Sequence, residues 1–330
     1  MNPSLRAGLA LAAVLSLATS GLAQAIGLPH LPKFGDHAAA AQQKLPAGTW
    51  PQAKSDVRAD PDIRFGSLPN GMRYAIKRQA IPAGQASLRL RFDAGSLMET
   101  DAQQGLAHFL EHMAFNGSKN VPEGEMVKIL ERHGLAFGAD TNASTNFDET
   151  VYKLDLPKTD DDTVDTSLKL LREASSELTL AQTAVDRERG VVLSEERASD
   201  SPAYRVFKQR LNFLLPGQRM PTLLPIGKVD ILQKAQAGLI ADFYHHYYRP
   251  ERATLVAVGD FDPAAMEAKI RAKFGDWQDV GPAGPEPDLG TVKARKTEAY
   301  LLVEAGAPLR LLVTWVRPPA ARADRLAKRR

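Results

Sequence analysis

Two histidines four residues apart, with a glutamate between them, are the side chains best placed to do chemistry: His108-Phe109-Leu110-Glu111-His112. On a helix turning about 100° per residue, His108, Glu111 and His112 fall within about 100° of one another, while Leu106, Phe109, Leu110 and Met113 gather on the opposite side. A histidine pair serving only packing would sit more naturally on the apolar face. Imidazoles at i and i+4 can each aim a ring nitrogen at one ion about 2.0–2.1 Å away, with the glutamate beside it. This H-x-x-E-H order is a signature of metal-dependent hydrolysis. A zinc ion lowers the pKa of a bound water from about 15.7 toward about 7. Glu111 is then placed to take the proton of that water and pass it to a leaving amine.

Two neutral histidines leave the charge of the ion uncompensated, and the chain has no cysteine, so the third ligand is expected to be a carboxylate. Glu173, Glu177, Glu188, Glu195 and Glu196 all fall on expected helices, and spacing alone does not choose among them. Glu188 and Glu195 are seven apart, two turns along nearly the same face, so that one could bind the ion while the other supports the site.

The elements that must position these groups read as a mixture of strands and helices. Apolar runs at 65–68 and 72–76 flank Pro69-Asn70-Gly71, a hairpin signal. Leu88, Leu90 and Phe92 alternate with Arg89 and Arg91, the period of a half-buried strand. A helix is expected at about 101–115, with Thr100 and Gln103 as a capping box, and a second at 123–133 with Gly134 as its stop. Strands at 137–146 and 150–156 follow, then helices at about 161–178, 181–198, 203–214 and 229–247. A strand at 254–258 precedes a helix starting at Pro263 and reaching Phe274. The absence of a regular βαβ alternation predicts the α+β class, an antiparallel sheet packed against helices. Gly and Pro crowd 281–287, which marks a linker, and strand-like runs recur at 300–303 and 311–316.

Composition bounds the partners. The chain has 330 residues, of which 44% are hydrophobic and 25% charged, ordinary for a globular protein. Residues 1–25 carry Arg6 as their only charge, an apolar run and Ala23-Gln24-Ala25, the pattern of a secretory signal peptide. Residues 26–61 read as a flexible leader. No stretch approaches the roughly 20 apolar residues of a membrane span. The net charge of +3 comes from Arg6 and from a basic end at 317–330, which leaves the body acidic. No clustered basic stripe marks a nucleic-acid partner. An exported chain without cysteine has no disulfide framework.

Three segments together, His108-Phe-Leu-Glu-His112-Met-Ala-Phe-Asn-Gly117, Glu188-Arg-Gly-Val-Val-Leu-Ser-Glu195-Glu196-Arg197 and Tyr248-Arg249-Pro250, resemble the M16 peptidases, the family of pitrilysin, insulysin and the mitochondrial processing peptidase. The resemblance covers roughly residues 60–320. It implies a LuxS-like metallohydrolase domain and a zinc-dependent endopeptidase acting on peptides or unfolded segments, which the signal-peptide pattern of residues 1–25 would carry to the periplasm. It also implies one Zn2+ per chain held by His108, His112 and Glu195, with Glu111 as base and Glu188 supporting the site. Glu195 follows His112 by 83 residues, a few more than is usual in the family, so a small insertion is implied. The segment around Asn142, Ala143 and Thr145 corresponds to an edge strand that pairs with extended substrate. The expected division is a catalytic domain at 62–279, a linker at 280–290 and the start of a second similar domain at 291–330. Family members close two such halves over the substrate. The chain is therefore expected to be the N-terminal piece of a longer protein, or to work with a partner subunit. The alternative is a non-catalytic or partner-dependent M16-like zinc-binding module.

Overall fold

A computed structural model describes residues 46–55, 58–291 and 295–316, all within one compact unit spanning 44–318. The expected signal peptide and most of the expected leader lie outside the described residues. The described end of that leader is anchored, because Trp50 donates from Nε1 to the Gly66 carbonyl at 2.9 Å and packs edge-on to Phe65.

Six strands form one sheet in the order β1-β2-β6-β3-β5-β4. They are β1 (Ile63–Ser67), β2 (Arg73–Arg78), β3 (Ala86–Phe92), β4 (Thr141–Thr145), β5 (Thr150–Leu156) and β6 (Ala253–Gly259). Every neighbouring pair is antiparallel except β2 with β6, which makes the sheet mixed. A parallel pair needs a long crossover, and here it contains β3, β4, β5 and most of the helices. The β1–β2 hairpin turns at Pro69-Asn70-Gly71 as the sequence indicates. Gly71 takes a φ of +92°, which glycine alone adopts readily, and Asn70 Nδ2 ties the turn to the carbonyls of Phe274 and Trp277.

The helices are α1 (Leu106–Met113), α2 (Glu125–Arg132), α3 (Asp161–Ser176), α4 (Gln182–Ser199), α5 (Pro202–Leu214), α6 (Val229–Lys234), α7 (Ala237–Tyr247) and α8 (Pro263–Phe274). The strict in-and-out alternation of β3 and β5 turns Leu88, Leu90, Phe92, Tyr152, Leu154 and Leu156 into the core. There they meet Phe109 and Leu110 of α1, Leu168 and Leu171 of α3, and Phe243 of α7. Burying side chains of this size contributes about 1.5–3 kcal/mol each. This is the energy that fixes α1 against the sheet.

The strand expected at 137–146 is shorter, because residues 138–140 form a turn ahead of β4 with Gly138 at a φ of +87°, and three further expectations differ. The helix expected at 101–115 starts only at Leu106. Thr100 N–H does donate to Gln103 Oε1 at 3.1 Å, but the pair closes a turn ahead of the helix. Gly105, at φ +100°, opens the helix instead. The single helix expected at 229–247 is broken into α6 and α7. Side chains of α4 satisfy the exposed backbone at the break: Arg189 donates to the carbonyls of Leu232 and Ala235, and Gln182 Oε1 accepts the Ala237 N–H. The apolar runs at 300–303 and 311–316 form no strand, because no neighbouring strand among the described residues offers them a ladder of hydrogen bonds.

Candidate metal centre

The two histidines enter the site on a helix whose start is held by a buried carboxylate. Glu99 accepts the Gly105 N–H at 3.0 Å and the Ala107 N–H at 2.8 Å, satisfying backbone donors that a helix start leaves open. Burial pushes the Glu99 carboxyl up to about 8, against the lowering effect of these N–H groups and of Arg219. Gly105 also lies hard against Gly227. A Cβ on Gly105 would come within 2.7 Å of the Gly227 Cα, so this contact requires glycine.

From that start, α1 presents His108, Glu111 and His112 on one face, and α4 crosses it with Glu188 and Glu195. His112 Nε2 lies 3.2 Å from His108 Nε2 and 3.2 Å from Glu195 Oε2, and His108 Nε2 lies 3.6 Å from the same oxygen. A point about 2 Å from all three atoms exists within that triangle, matching zinc–nitrogen and zinc–oxygen distances of about 2.0–2.2 Å. Two imidazole lone pairs and a carboxylate oxygen aimed at one point repel each other unless a cation sits between them. The donor set, two nitrogens and one carboxylate, is that of a three-ligand zinc site. These are the one group of three potential ligand side chains found to converge among the described residues.

The surroundings fix the ring of His112. Its Nδ1 lies 2.8 Å from Glu188 Oε1, which places the proton on Nδ1 and leaves the Nε2 lone pair for an ion. Asn116 Nδ2 donates to the other Glu188 oxygen at 3.0 Å and to the His112 carbonyl at 3.0 Å. Burial disfavours the charged form of His112, but the hydrogen bond to Glu188 and the nearby carboxylates outweigh it and raise the pKa. Burial opposes the ionised form of Glu188 too, and the bonds to His112 and Asn116 prevail, lowering its pKa. His108 is driven down to about 4, first by burial and then by the charge of His112, so it is neutral at pH 7. Glu111 is raised, chiefly by burial, against a hydrogen bond of 2.5 Å donated by the Thr145 hydroxyl to its Oε2.

The carboxylates that spacing left open now separate. Glu173 accepts from the Ser118 hydroxyl and from the backbone and side chain of Asn120, and Glu177 pairs with Arg172. Neither belongs to the cluster. Asn142 and Ala143 lie on β4 at the sheet edge and are not among the converging groups. The Asn142 side chain accepts the Ala143 N–H at 2.9 Å. Asn116, Glu99 and Thr150 escaped the reading of the sequence. Asn116, four residues after His112, was discoverable from helical spacing.

Beside His108 and Glu195 opens a cleft of about 290 Å³, walled by Thr145, Phe147, Tyr204, Phe207 and the segment Leu224-Pro225-Ile226. Its far wall is apolar and aromatic.

Residues 74–218 match the family model for insulinase, peptidase family M16, and residues 234–326 match that for the M16 inactive domain. The chain is 39% identical over 203 residues to the probable zinc protease PqqL of Haemophilus influenzae, covering 62% of this chain and 22% of that protein. It is 32% identical over 226 residues to the chloroplastic stromal processing peptidase of Pisum sativum, covering 67% and 17%. The crystal structure of the first half of the periplasmic protease PqqL from Escherichia coli matches with a TM-score of 0.69 at 35% identity, over 72% of this chain and 51% of that one. The chain spans about a quarter of the length of PqqL and its plant counterpart.

Proposed function

We propose that this chain, which belongs to the M16 peptidase family, is the metal-bearing part of a zinc-dependent endopeptidase that cuts peptides or unfolded segments, with one Zn2+ per chain. The observation that carries the reading is the convergence of His108, His112 and Glu195 on one point, with Glu111 beside them on the same helix. Those three residues hold the ion, and Glu188, backed by Asn116, holds His112 in the right tautomer. Zinc in such a site lowers the pKa of a bound water toward about 7 and polarises the scissile carbonyl. Glu111 accepts the proton of the attacking water and delivers it to the leaving amine. The raised pKa of Glu111 suits a group that must both take and return a proton.

The edge strand β4 offers a template for an extended substrate. Asp155 N–H bonds to the Asp140 carbonyl and Asn146 N–H to the Glu149 carbonyl, and antiparallel alternation then turns the backbone of Ala143 away from β5. A docking strand would replace the Asn142 bond to the Ala143 N–H with its own. The aromatic wall of the cleft suits an apolar substrate side chain next to the cut bond. Export to the periplasm is proposed from the resemblance of residues 1–25 to a signal peptide and from the periplasmic location of the Escherichia coli relative. No described helix is long and apolar enough to cross a membrane.

A second reading is a zinc-binding module that cuts only when a second M16-like half closes over it. It is favoured by the exposure of Leu301, Val303, Leu309 and Leu311 after the linker, each above 80%, in a segment proposed to begin that second domain. Cleavage of a quenched peptide by the zinc-loaded chain, with and without chelator, separates the two readings. The first predicts chelator-sensitive cleavage that falls at least about 10²-fold in Glu111→Gln while zinc is retained. Full activity in Glu111→Gln sinks the assignment of the base, and a zinc-loaded wild type that cuts nothing supports the second reading.

A further inference from the structure

We propose that Thr145 is a positioning residue for Glu111; the inference rests on Glu111 being the base. The Glu111 carboxylate is buried, and the Thr145 hydroxyl is the side-chain donor that meets it, at 2.5 Å from Oε2. The Thr145 backbone N–H faces the same carboxylate. The two residues come from different elements, so the bond fastens the helix that carries the base to the strand at the edge of the sheet.

Thr145 and Thr150 are directly opposed across the β4–β5 pair, with their hydroxyl oxygens 3.4 Å apart. Thr150 is fully buried and donates its single hydroxyl hydrogen to the Ala94 carbonyl at 2.9 Å. It can therefore meet Thr145 only as an acceptor and does not compete for Glu111. The hydrogen of Thr145 has two acceptors in reach, a neutral hydroxyl at 3.4 Å and a carboxylate at 2.5 Å. The shorter, charge-assisted bond is the stronger one. A β-branched side chain is stiff at χ1, so the direction of that bond follows the strand. Oε2 of Glu111 is pinned, and Oε1 is left to face the water. Because β4 is also the edge proposed to receive substrate, docking of a peptide strand and aim of the base meet at one residue.

The test compares zinc-loaded wild type with Thr145→Val, which keeps the shape and loses the hydroxyl, and Thr145→Ser, which restores it. Thr145→Val is expected to keep its zinc, to lose about 10-fold or more in kcat with KM within about twofold, and Thr145→Ser to recover most of the loss. Wild-type kcat in Thr145→Val, a loss confined to KM, or failure of Thr145→Ser to recover kcat overturns the proposal. A Glu111→Gln variant measured alongside tells the two readings apart, since its full activity removes the base itself. A readout without turnover is the carboxyl 13C resonance of Glu111, identified by its absence in Glu111→Gln. It is expected to move in Thr145→Val and return in Thr145→Ser, and an unmoved resonance in Thr145→Val contradicts the bond.

Discussion

Helices α1 and α4 face each other across the metal centre, yet seven of the eight residues of α1 are buried against three of the eighteen of α4. In α1 the apolar side drives into the core, and the polar side is roofed by α4 and β4, so His108, Glu111 and His112 are held by packing. Glu195 stands on the open part of α4, beyond Val192, the last buried residue of that helix. Beside the buried Ala184, Val185 and Val192, polar bonds hold α4: Glu188 on His112, and Arg189 and Gln182 on the break between α6 and α7. The two proposed histidine ligands and the proposed base are thus set by the fold, and the proposed third ligand stands on the exposed part of a helix held by hydrogen bonds as well as by packing.

That contrast can be broken first on the buried side. Leu110→Ala removes a fully buried α1 side chain and is expected to lower the unfolding free energy by about 2–5 kcal/mol in a denaturant titration; a change under about 0.5 kcal/mol would mean that core packing does not hold α1. The carboxylate at the start of the same helix gives a pH signature. Glu99 has a folded pKa of about 8 against an ordinary value of 4.5, so the folded state binds more protons. Its contribution is complete below about 4.5 and is lost as pH rises toward about 8, an effect on the order of a few kcal/mol. Denaturation midpoints of the metal-free protein should fall across that window, and Glu99→Gln should flatten the fall; parallel curves for the two proteins would contradict the shift. The smallest effect belongs to the polar link between the helices. Glu188→Gln weakens the acceptor on His112 and should reduce zinc affinity about 10- to 100-fold in competition with a chromophoric chelator. Unchanged affinity would show that His112 needs no partner to keep its tautomer.

The same contrast explains what could be read from the residues. The α1 triad stands out because three polar groups at i, i+3 and i+4 interrupt an otherwise apolar segment, a pattern that only a helix face explains. The hairpin at Asn70-Gly71 and the alternation of β3 were legible for the same local reason. α4 is charged nearly all round, so nothing in its own periodicity separates Glu195 from Glu196 or Glu188. The choice came through resemblance to a family, and the geometry brings Glu195 to the point the histidines share. The break between α6 and α7 was invisible because the side chains that satisfy it, Arg189 and Gln182, lie 43 to 55 residues away in sequence. The runs after residue 300 have the composition of strands, but a strand also needs a neighbour, and composition does not supply one. The parallel register of β2 with β6 is likewise a property of the whole topology.

The claim that the ion is bound jointly by a packed helix and a steered one is tested most directly by titrating zinc into metal-free wild type and Glu195→Gln, with circular dichroism confirming that both are folded. One zinc is expected to bind per wild-type chain, with a marked loss of affinity in Glu195→Gln. A full complement of zinc bound by Glu195→Gln as tightly as by wild type would contradict it.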